Sequence, residues 1–448
     1  MARSDASCAK LYEALSRRVA YQTESQNRDR NSELKRYLAE EMTASLERLG
    51  FRVTLFDNPV TGAPPFLIAD RSEPGASRTV LMYGHGDVVS GDDEKWRAGL
   101  SPWSLSSEDG IWYGRGSADN KGQHSINLEA IEVVLKARGR LGLNIKFLIE
   151  MGEEVGSPGL RAFCEQHRDA LAADLFLASD GPRLNASSPT VFLGSRGVAN
   201  FELSIVAREG GHHSGNWGGL LKNPGTRLAH AIAVLVDAHG AILVPELKSP
   251  SLPASVKSAL ETIEPGEPGG PSIDIHWGEP MRSPAERVFG GNALEVLAFE
   301  TGNPKKPVNA IPPRASATLQ LRFVVGCDPE VIVPAIRRRL DALGFDDVAV
   351  NLTRDIPMPA TRLDPDHPFV SEVMRSMTNT AGARPKLLPN LGGSLPNDCF
   401  AGTLGLPTVW IPHSYPGCNQ HAPNEHLLES VARDGLALVV GVLWDLGA

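Results

Sequence analysis

The chain has 448 residues, 42% hydrophobic and 22% charged, with a formal net charge of −9, the balance of an ordinary globular protein long enough to fill two cores. That acidity gives no sign of a nucleic-acid partner, and the five cysteines (Cys8, Cys164, Cys327, Cys399, Cys418) are odd in number and scattered, which suits reduced thiols better than a disulfide framework. MARSDASCAKLYEALSRR lacks an apolar signal core, and Gly435 to Trp444 is about half the span that a membrane helix needs, so the expected location is cytoplasmic with no membrane partner.

Residues 1 to about 50 carry two helical patterns, the second with Leu34, Leu38, Met42 and Leu46 at i, i+4 spacing. Phe51 to Asp70 reads as strands interrupted by the turn cluster NPVTGAPP. Thr79 to Tyr83 has the β-branched and aromatic character of a buried strand, and it stops at Gly84-His85-Gly86-Asp87. Two residues apart in extended chain, His85 and Asp87 share a face, so Asp87 can accept the imidazole's second N–H while His85 offers its other nitrogen to a metal. Asp119 follows in a Gly-rich loop ahead of a helix from about Gln123 to Ala137, striped by Ile126, Ala130, Ile131, Val134 and Leu135.

The strand-end pattern recurs. Ile145 to Glu150 ends in Met151-Gly152-Glu153-Glu154, Asp174 to Ser179 ends in Asp180, and Leu406 to Ile411 leads through a Pro/Gly-rich loop to His421. In open α/β sheets ligands bind at the carboxyl ends of the strands, so His85, Asp119, Glu153, Glu154, Asp180 and His421 are expected at one rim. Buried acids without partners are costly, and such a cluster needs cations to hold it together. Two adjacent glutamates in a strand-end turn point apart, so one of Glu153 and Glu154 can bind metal while its neighbour faces the attacking water as general base.

After Asp180 the pattern changes. Thr190 to Gly197 leads into the alternating strand ANFELSIVARE, then the loop GGHHSGNWGG and a helix with Leu228, Ile232 and Leu235 on one side. GGNALEVLAFETG and ASATLQLRFVVG read as two more alternating strands, and DPEVIVPAIRRRLDALG as an amphipathic helix capped at Asp328-Pro329. Antiparallel alternation with helices on one face describes a separate α+β unit at roughly 196–355, inserted into an α/β unit of mostly parallel sheet with helices on both faces, formed by 1–195 and 356–448. Pro365 to Met377 reads as helix, PKLLPNLGGSLPNDCF as strand and loop, and Pro423 to Trp444 as a closing helix.

YGHGDVV, GRGSADNKGQ, MGEEVGS, SDG and QHAPNEH, in this order, resemble the motifs of the M20 family of dinuclear metallopeptidases and amidohydrolases, from about residue 30 onward. The resemblance implies two divalent metal ions: Asp119 bridges them, His85 and Asp180 complete one site, and Glu154 and His421 complete the other. It also implies that Asp87 orients His85, that Glu153 is the general base, and that the Asp119–Asn120 peptide is cis. All-imidazole and carboxylate ligands fit zinc best and leave manganese and cobalt open. The inserted unit looks like the family's lid and dimerisation domain, which implies a homodimer in which His213 of HHSG reaches the partner's active site to stabilise the oxyanion. Arg322 and Asn309 match positions that hold the substrate's carboxylate, and Ser394 in LGGSLPND resembles a hydrogen-bonding group of the dipeptidase branch's substrate loop. Pro245 to Gly290 resembles that branch's longer insert, whereas PMPATRLD stands where the branch carries a further lid histidine.

The reading is a hydrolase of an amide or peptide bond next to a free carboxylate, with N-acyl amino acid deacylation as its neighbour. Three alternatives fit less. Cys418, three residues before His421, offers a CxxH metal motif with no second pair nearby. Serine hydrolysis through Ser394 lacks the GxSxG elbow. A binding protein on the same fold needs Glu154 but has no use for Glu153.

Overall fold

The computed structural model describes residues 2–266, 270–353 and 357–448; the expected boundary at 355/356 and part of the 245–290 insert lie outside the described residues. Its centre is an eight-stranded sheet with Thr79–His85, Asn144–Glu150 and Leu175–Ala178 in the middle. Thr79–His85 runs parallel to both neighbours, and Thr408–Trp410 runs parallel to Leu175–Ala178. Arg52–Phe56 and Phe66–Arg71 add an antiparallel edge.

Strand alternation divides the apolar residues between two layers. Val80, Met82, Ile145, Phe147 and Ile149 face helices Asp5–Val19, Lys121–Arg138, Pro368–Ala381 and Glu429–Leu446. Leu81, Tyr83, Leu148, Phe176 and Trp410 face helix Leu160–Gln166 and the insert helices Ala254–Leu260 and Pro284–Phe289, whose Val256, Leu260, Ala285 and Phe289 join the same cluster. The insert therefore buries its helices on the central sheet.

The second helical pattern has a physical explanation for its strict four-residue spacing. On an α-helix that spacing drifts by about 40° per step; here a π-turn over Tyr37–Met42 widens the helix between Asn31–Arg36 and Thr43–Arg48 and takes back the drift. Leu34, Leu38, Met42 and Leu46 all end up buried.

The second sheet is antiparallel, ordered Ala293–Thr301, Arg314–Phe323, Gly197–Val206, Ala349–Leu352. Its two central strands alternate buried and half-buried residues apart from the exposed Val206 and Arg314 at their ends, and helices Pro224–Ala233 and Ile332–Ala342 cover the buried face. Ala293–Thr301 departs from the expected alternation: as an edge strand with a bulge between Val296 and Ala298, it exposes Val296, Leu297 and Phe299. The closing helix also starts later than its periodicity indicates. His426–Leu428 is drawn into an antiparallel pairing with Ile111–Tyr113, and the helix begins at Glu429. Among the described residues no helix is long and apolar enough to cross a membrane.

Glu150, the last residue of its strand, is buried; its Oε1 accepts from Tyr83 (2.7 Å) and Ser157 (3.0 Å), and its Oε2 has no partner. Burial, with the Asp87 charge adding to it, pushes its carboxyl from 4.5 up to about 7. A folded-state value above the free one gives stability that is complete below pH 4.5 and is lost as pH rises through about 7. Glu150→Gln is accordingly expected to gain up to about 3 kcal/mol over wild type at pH 8 and nothing at pH 4.5. Denaturant unfolding at both pH values checks this; a pH-independent difference contradicts it.

Candidate metal centre and active site

The ends of three neighbouring strands and two loops deliver the predicted rim. His85 closes its strand, Glu153 and Glu154 form the short turn after Asn144–Glu150, and Asp180 follows Leu175–Ala178. Asp119 sits ahead of helix Lys121–Arg138, behind a cis Asp119–Asn120 peptide. His421 comes in on the Pro/Gly-rich loop after Thr408–Trp410, with positive φ.

These side chains form two groups sharing Asp119. In each of His85–Asp119–Asp180 and Asp119–Glu154–His421, all candidate ligand atoms lie within 4.8 Å of one another. Asp119 turns one oxygen to each histidine: Oδ1 lies 3.0 Å from His85 Nε2, and Oδ2 lies 3.1 Å from His421 Nε2. His421 Nε2 is also 3.1 Å from Glu154, and His85 Nε2 is 3.7 Å from Asp180. A carboxylate placed this way can bridge two cations, with each imidazole serving one of them.

The donor set fits divalent cations. Glu154 Oε1 and Asp180 Oδ2 are buried with no hydrogen-bond partner, which is costly unless a cation takes them. Burial, reinforced by the Asp119 charge, pushes Asp180 up to about 6 and Glu154 up to about 7. Hydrogen bonds to Asp119 and Glu154 raise His421 to about 10. Burial opposes a charge on His85, yet Asp119 and Asp87 hold its pKa well above the ordinary value; Asp119 stays below the usual carboxylate range despite its own burial because both histidines face it. The centre thus holds more negative charge than its polar neighbours satisfy, the condition that a pair of divalent cations relieves.

Asp87 does more than orient His85. His85 Nδ1 meets the Asp87 backbone carbonyl at 3.1 Å and its carboxylate at 3.4 Å, while the two carboxylate oxygens accept the backbone N–H groups of Glu153 (3.2 Å) and Glu154 (3.1 Å). One side chain therefore fastens the glutamate turn to the His85 strand end. Glu153 belongs to neither ligand group; it lines the cavity, and burial together with the surrounding acids raises its carboxyl well above the usual range.

Several groups at this centre were not singled out from the sequence. Glu425 is buried and accepts from Arg115 (2.8 Å) and from the backbone N–H groups of Gly116, Ala118 and Asp119 at 2.9–3.1 Å. It thereby ties the His421 loop to the Asp119 loop. Gln420 donates to Asp119, and Asn120 donates to the Ser179 carbonyl. Arg196 ends the crossover into the lid sheet and lines the cavity. The QHAPNEH motif contains both Gln420 and Glu425, but a glutamate there reads as a solvated loop residue until its donors are seen.

A cavity of about 940 Å³ opens above the centre, lined by Asp119, Glu153, Asp180, His421, Arg196 and Ser394 among others. Ser394 Oγ accepts from Arg322 (2.7 Å) and donates to the Arg196 carbonyl (2.6 Å). It clamps the lid sheet to the Gly392–Ser394 loop and, among the described residues, hydrogen-bonds to no imidazole, which argues against it as a serine nucleophile. His213 is exposed, and its strand residue pairs with Ala310 next to the exposed Asn309; neither His213 nor Asn309 lines the cavity. Cys418 is a buried thiol, pushed up to about 12 by burial, and among the described residues it belongs to neither ligand group. In PMPATRLD, Thr361 accepts from Asn390 (2.7 Å, at its carbonyl) and Asn397 (2.8 Å, at its hydroxyl), so the segment is tied down at the crossing between the two sheets.

The family model described as Peptidase family M20/M25/M40 matches residues 81–445. The chain belongs to this family. A cysteinylglycine-S-conjugate dipeptidase of Corynebacterium striatum is 26% identical over 357 residues, 79% of this chain and 77% of that protein. A beta-Ala-His dipeptidase of Homo sapiens is 33% identical over 220 residues, 47% of this chain and 43% of that protein. The crystal structure of an M20 family metallo-carboxypeptidase from Sulfolobus solfataricus shares the fold with a TM-score of 0.79 at 24% identity, covering 99% of this chain and 100% of that one. Family, fold and centre together make this chain a metal-dependent peptidase-type hydrolase.

Proposed function

We propose that the chain hydrolyses an amide or peptide bond adjacent to a free carboxylate, with small peptides as substrates. The observation that carries this reading is the placement of Glu153: it faces the cavity beside both ligand groups while belonging to neither. His85, Asp119 and Asp180 would hold one cation, and Asp119, Glu154 and His421 the other. Two divalent cations held there supply Lewis-acid polarisation of the scissile carbonyl. Zinc suits the imidazole and carboxylate donors best, and manganese or cobalt also fit. Glu153 takes the proton of the attacking water and delivers it to the leaving nitrogen. Arg196, with Arg322 fixed behind it by Ser394, supplies positive charge on the wall where the substrate's carboxylate docks.

The lid unit, roughly 196–355, is also the dimerisation unit in this reading, the catalytic unit being 1–195 with 356–448. Its free edge Ala293–Thr301 exposes Val296, Leu297 and Phe299, and an unpaired apolar edge is suited to pairing with a second copy. His213 and Asn309, exposed and remote from the cavity of their own chain, then serve the partner's site, where His213 stabilises the oxyanion and Asn309 helps to hold the substrate's carboxylate. Five free buried thiols support a reducing, cytoplasmic location.

N-acyl amino acid deacylation uses the same centre and the same carboxylate contact, and it is the second reading. Assaying dipeptides against N-acetyl and N-succinyl amino acids, with zinc and manganese in parallel, separates the two. Dipeptide kcat/KM exceeding that of the N-acyl compounds is expected; the reverse order moves the chain to the deacylases.

A further inference from the structure

The lid-sheet register gives that sheet a polar face, whose edge reaches the cavity through Ala293 and Glu295. Asn200, Gln320 and Glu295 stand in one row of the ladder, and Val198, Arg322 and Ala293 in another. Residues directly opposite in an antiparallel ladder share a face, and the other face, with Leu294, Leu319, Leu321, Ala199 and Phe201, is buried under the lid helices. The polar face is wired almost completely. Gln320 donates to Asn200 (2.9 Å) and accepts from Arg322 (3.0 Å), which continues through Ser394 to the Arg196 carbonyl.

Glu295 stands outside this network. It lines the cavity, yet among the described residues no hydrogen bond or ion pair engages its carboxylate. The arginines of the upper cavity other than Arg196 are engaged by neighbours. Arg183 pairs with Asp434 (2.9 Å), Arg282 with Glu279 (2.7 Å), and Arg287 donates to the carbonyls of Ile275, Trp277 and Glu279. Asp274 on the insert also lines the cavity with no side-chain hydrogen bond or ion pair among the described residues, but it lies off the lid sheet. Arg196 uses its Nε on the Gly392 carbonyl (2.8 Å) and has both terminal nitrogens left for a ligand. The lid-sheet side of the wall therefore presents one guanidinium and one carboxylate that feel each other's charge without forming an ion pair.

We propose that Arg196 and Glu295 form a subsite for a leaving amino acid that carries a carboxylate and a cationic side chain, so that the preferred substrates are peptides ending in lysine or arginine. Arg196 takes the terminal carboxylate, and Glu295 takes the side-chain cation as a charge-assisted hydrogen bond. A neutral side chain of the same length leaves Glu295 desolvated without a partner, and an acidic one is repelled. This inference rests on the peptidase reading above and gives it a substrate class.

The test is kcat/KM of the metal-loaded enzyme for Ala-Lys, Ala-norleucine and Ala-Glu, in wild type, Glu295→Gln and Glu295→Lys. Wild type is expected to favour Ala-Lys over Ala-norleucine by about tenfold or more. The preference collapses towards parity in Glu295→Gln through the KM for Ala-Lys, and Glu295→Lys turns it towards Ala-Glu, which a merely damaged enzyme does not do. Dipeptides cleaved by wild type without a preference for lysine, or a preference that survives Glu295→Gln, overturn the inference alone. No cleavage of any dipeptide overturns the peptidase reading and the inference together.

Discussion

Glu153→Ala is expected to keep its metal and lose roughly 10²–10⁴-fold in kcat, the usual contribution of a positioned general base. The reason is geometric. Glu154 and His421 close one ligand group and His85 and Asp180 the other, with Asp119 common to both, so the cations stay when Glu153 goes. What goes is the carboxylate beside the reacting water. Because the missing proton transfer belongs to the transition state, the loss should fall on kcat with KM little changed. Metal content by elemental analysis and steady-state kinetics on the same preparation check both halves. A variant with full metal and full turnover removes Glu153 from the base role; loss of metal along with turnover makes it a ligand instead.

The second large effect is expected at a residue with no direct contact to substrate. Glu425→Ala leaves the buried Arg115 guanidinium and three backbone N–H groups without their acceptor. Breaking a buried pair from one side costs about 3–5 kcal/mol, and here the penalty falls on the loop that positions Asp119. Weaker metal binding should therefore accompany the lower stability, because the bridging carboxylate loses its anchor. Glu425→Gln, which keeps one acceptor oxygen, should be intermediate in both. Denaturant unfolding with a metal-binding isotherm for each variant measures the pair of effects. Destabilisation with unaltered metal affinity would make Glu425 a fold residue only.

The sequence made the rim legible because its physical signals are local. Apolar runs ending in His85, in Glu153–Glu154 and at Asp180 mark strand ends, and parallel neighbours necessarily present those ends on one side. Asp119 was legible from its Gly-rich loop before a periodic helix, and His421 from motif order, although its distance from the others along the chain gives no local cue. Glu425 was hidden because its value lies in four donors that fold back from residues 115–119, a relation with no sequence period. Arg196 was hidden for a similar reason: SRG at a crossover looks like any exposed turn until the Gly392–Ser394 loop packs against it. The Ala293–Thr301 strand misled because alternation reports a half-buried strand, whereas an edge strand with a bulge has only one neighbour to bury it. The closing helix misled because helical apolar spacing continues through His426–Leu428, and only the pairing with Ile111–Tyr113 overrides it.

The measurement that reaches furthest is the count of divalent ions per chain in wild type, His421→Ala and Asp119→Ala, taken beside activity after chelation and after metal return. Two ions in wild type, a deficit of one in His421→Ala, none held tightly in Asp119→Ala, and activity that vanishes on chelation and returns with zinc or manganese are the predicted results. An enzyme stripped of every ion and still fully active contradicts the account, as does an Asp119→Ala chain that holds both ions as wild type does.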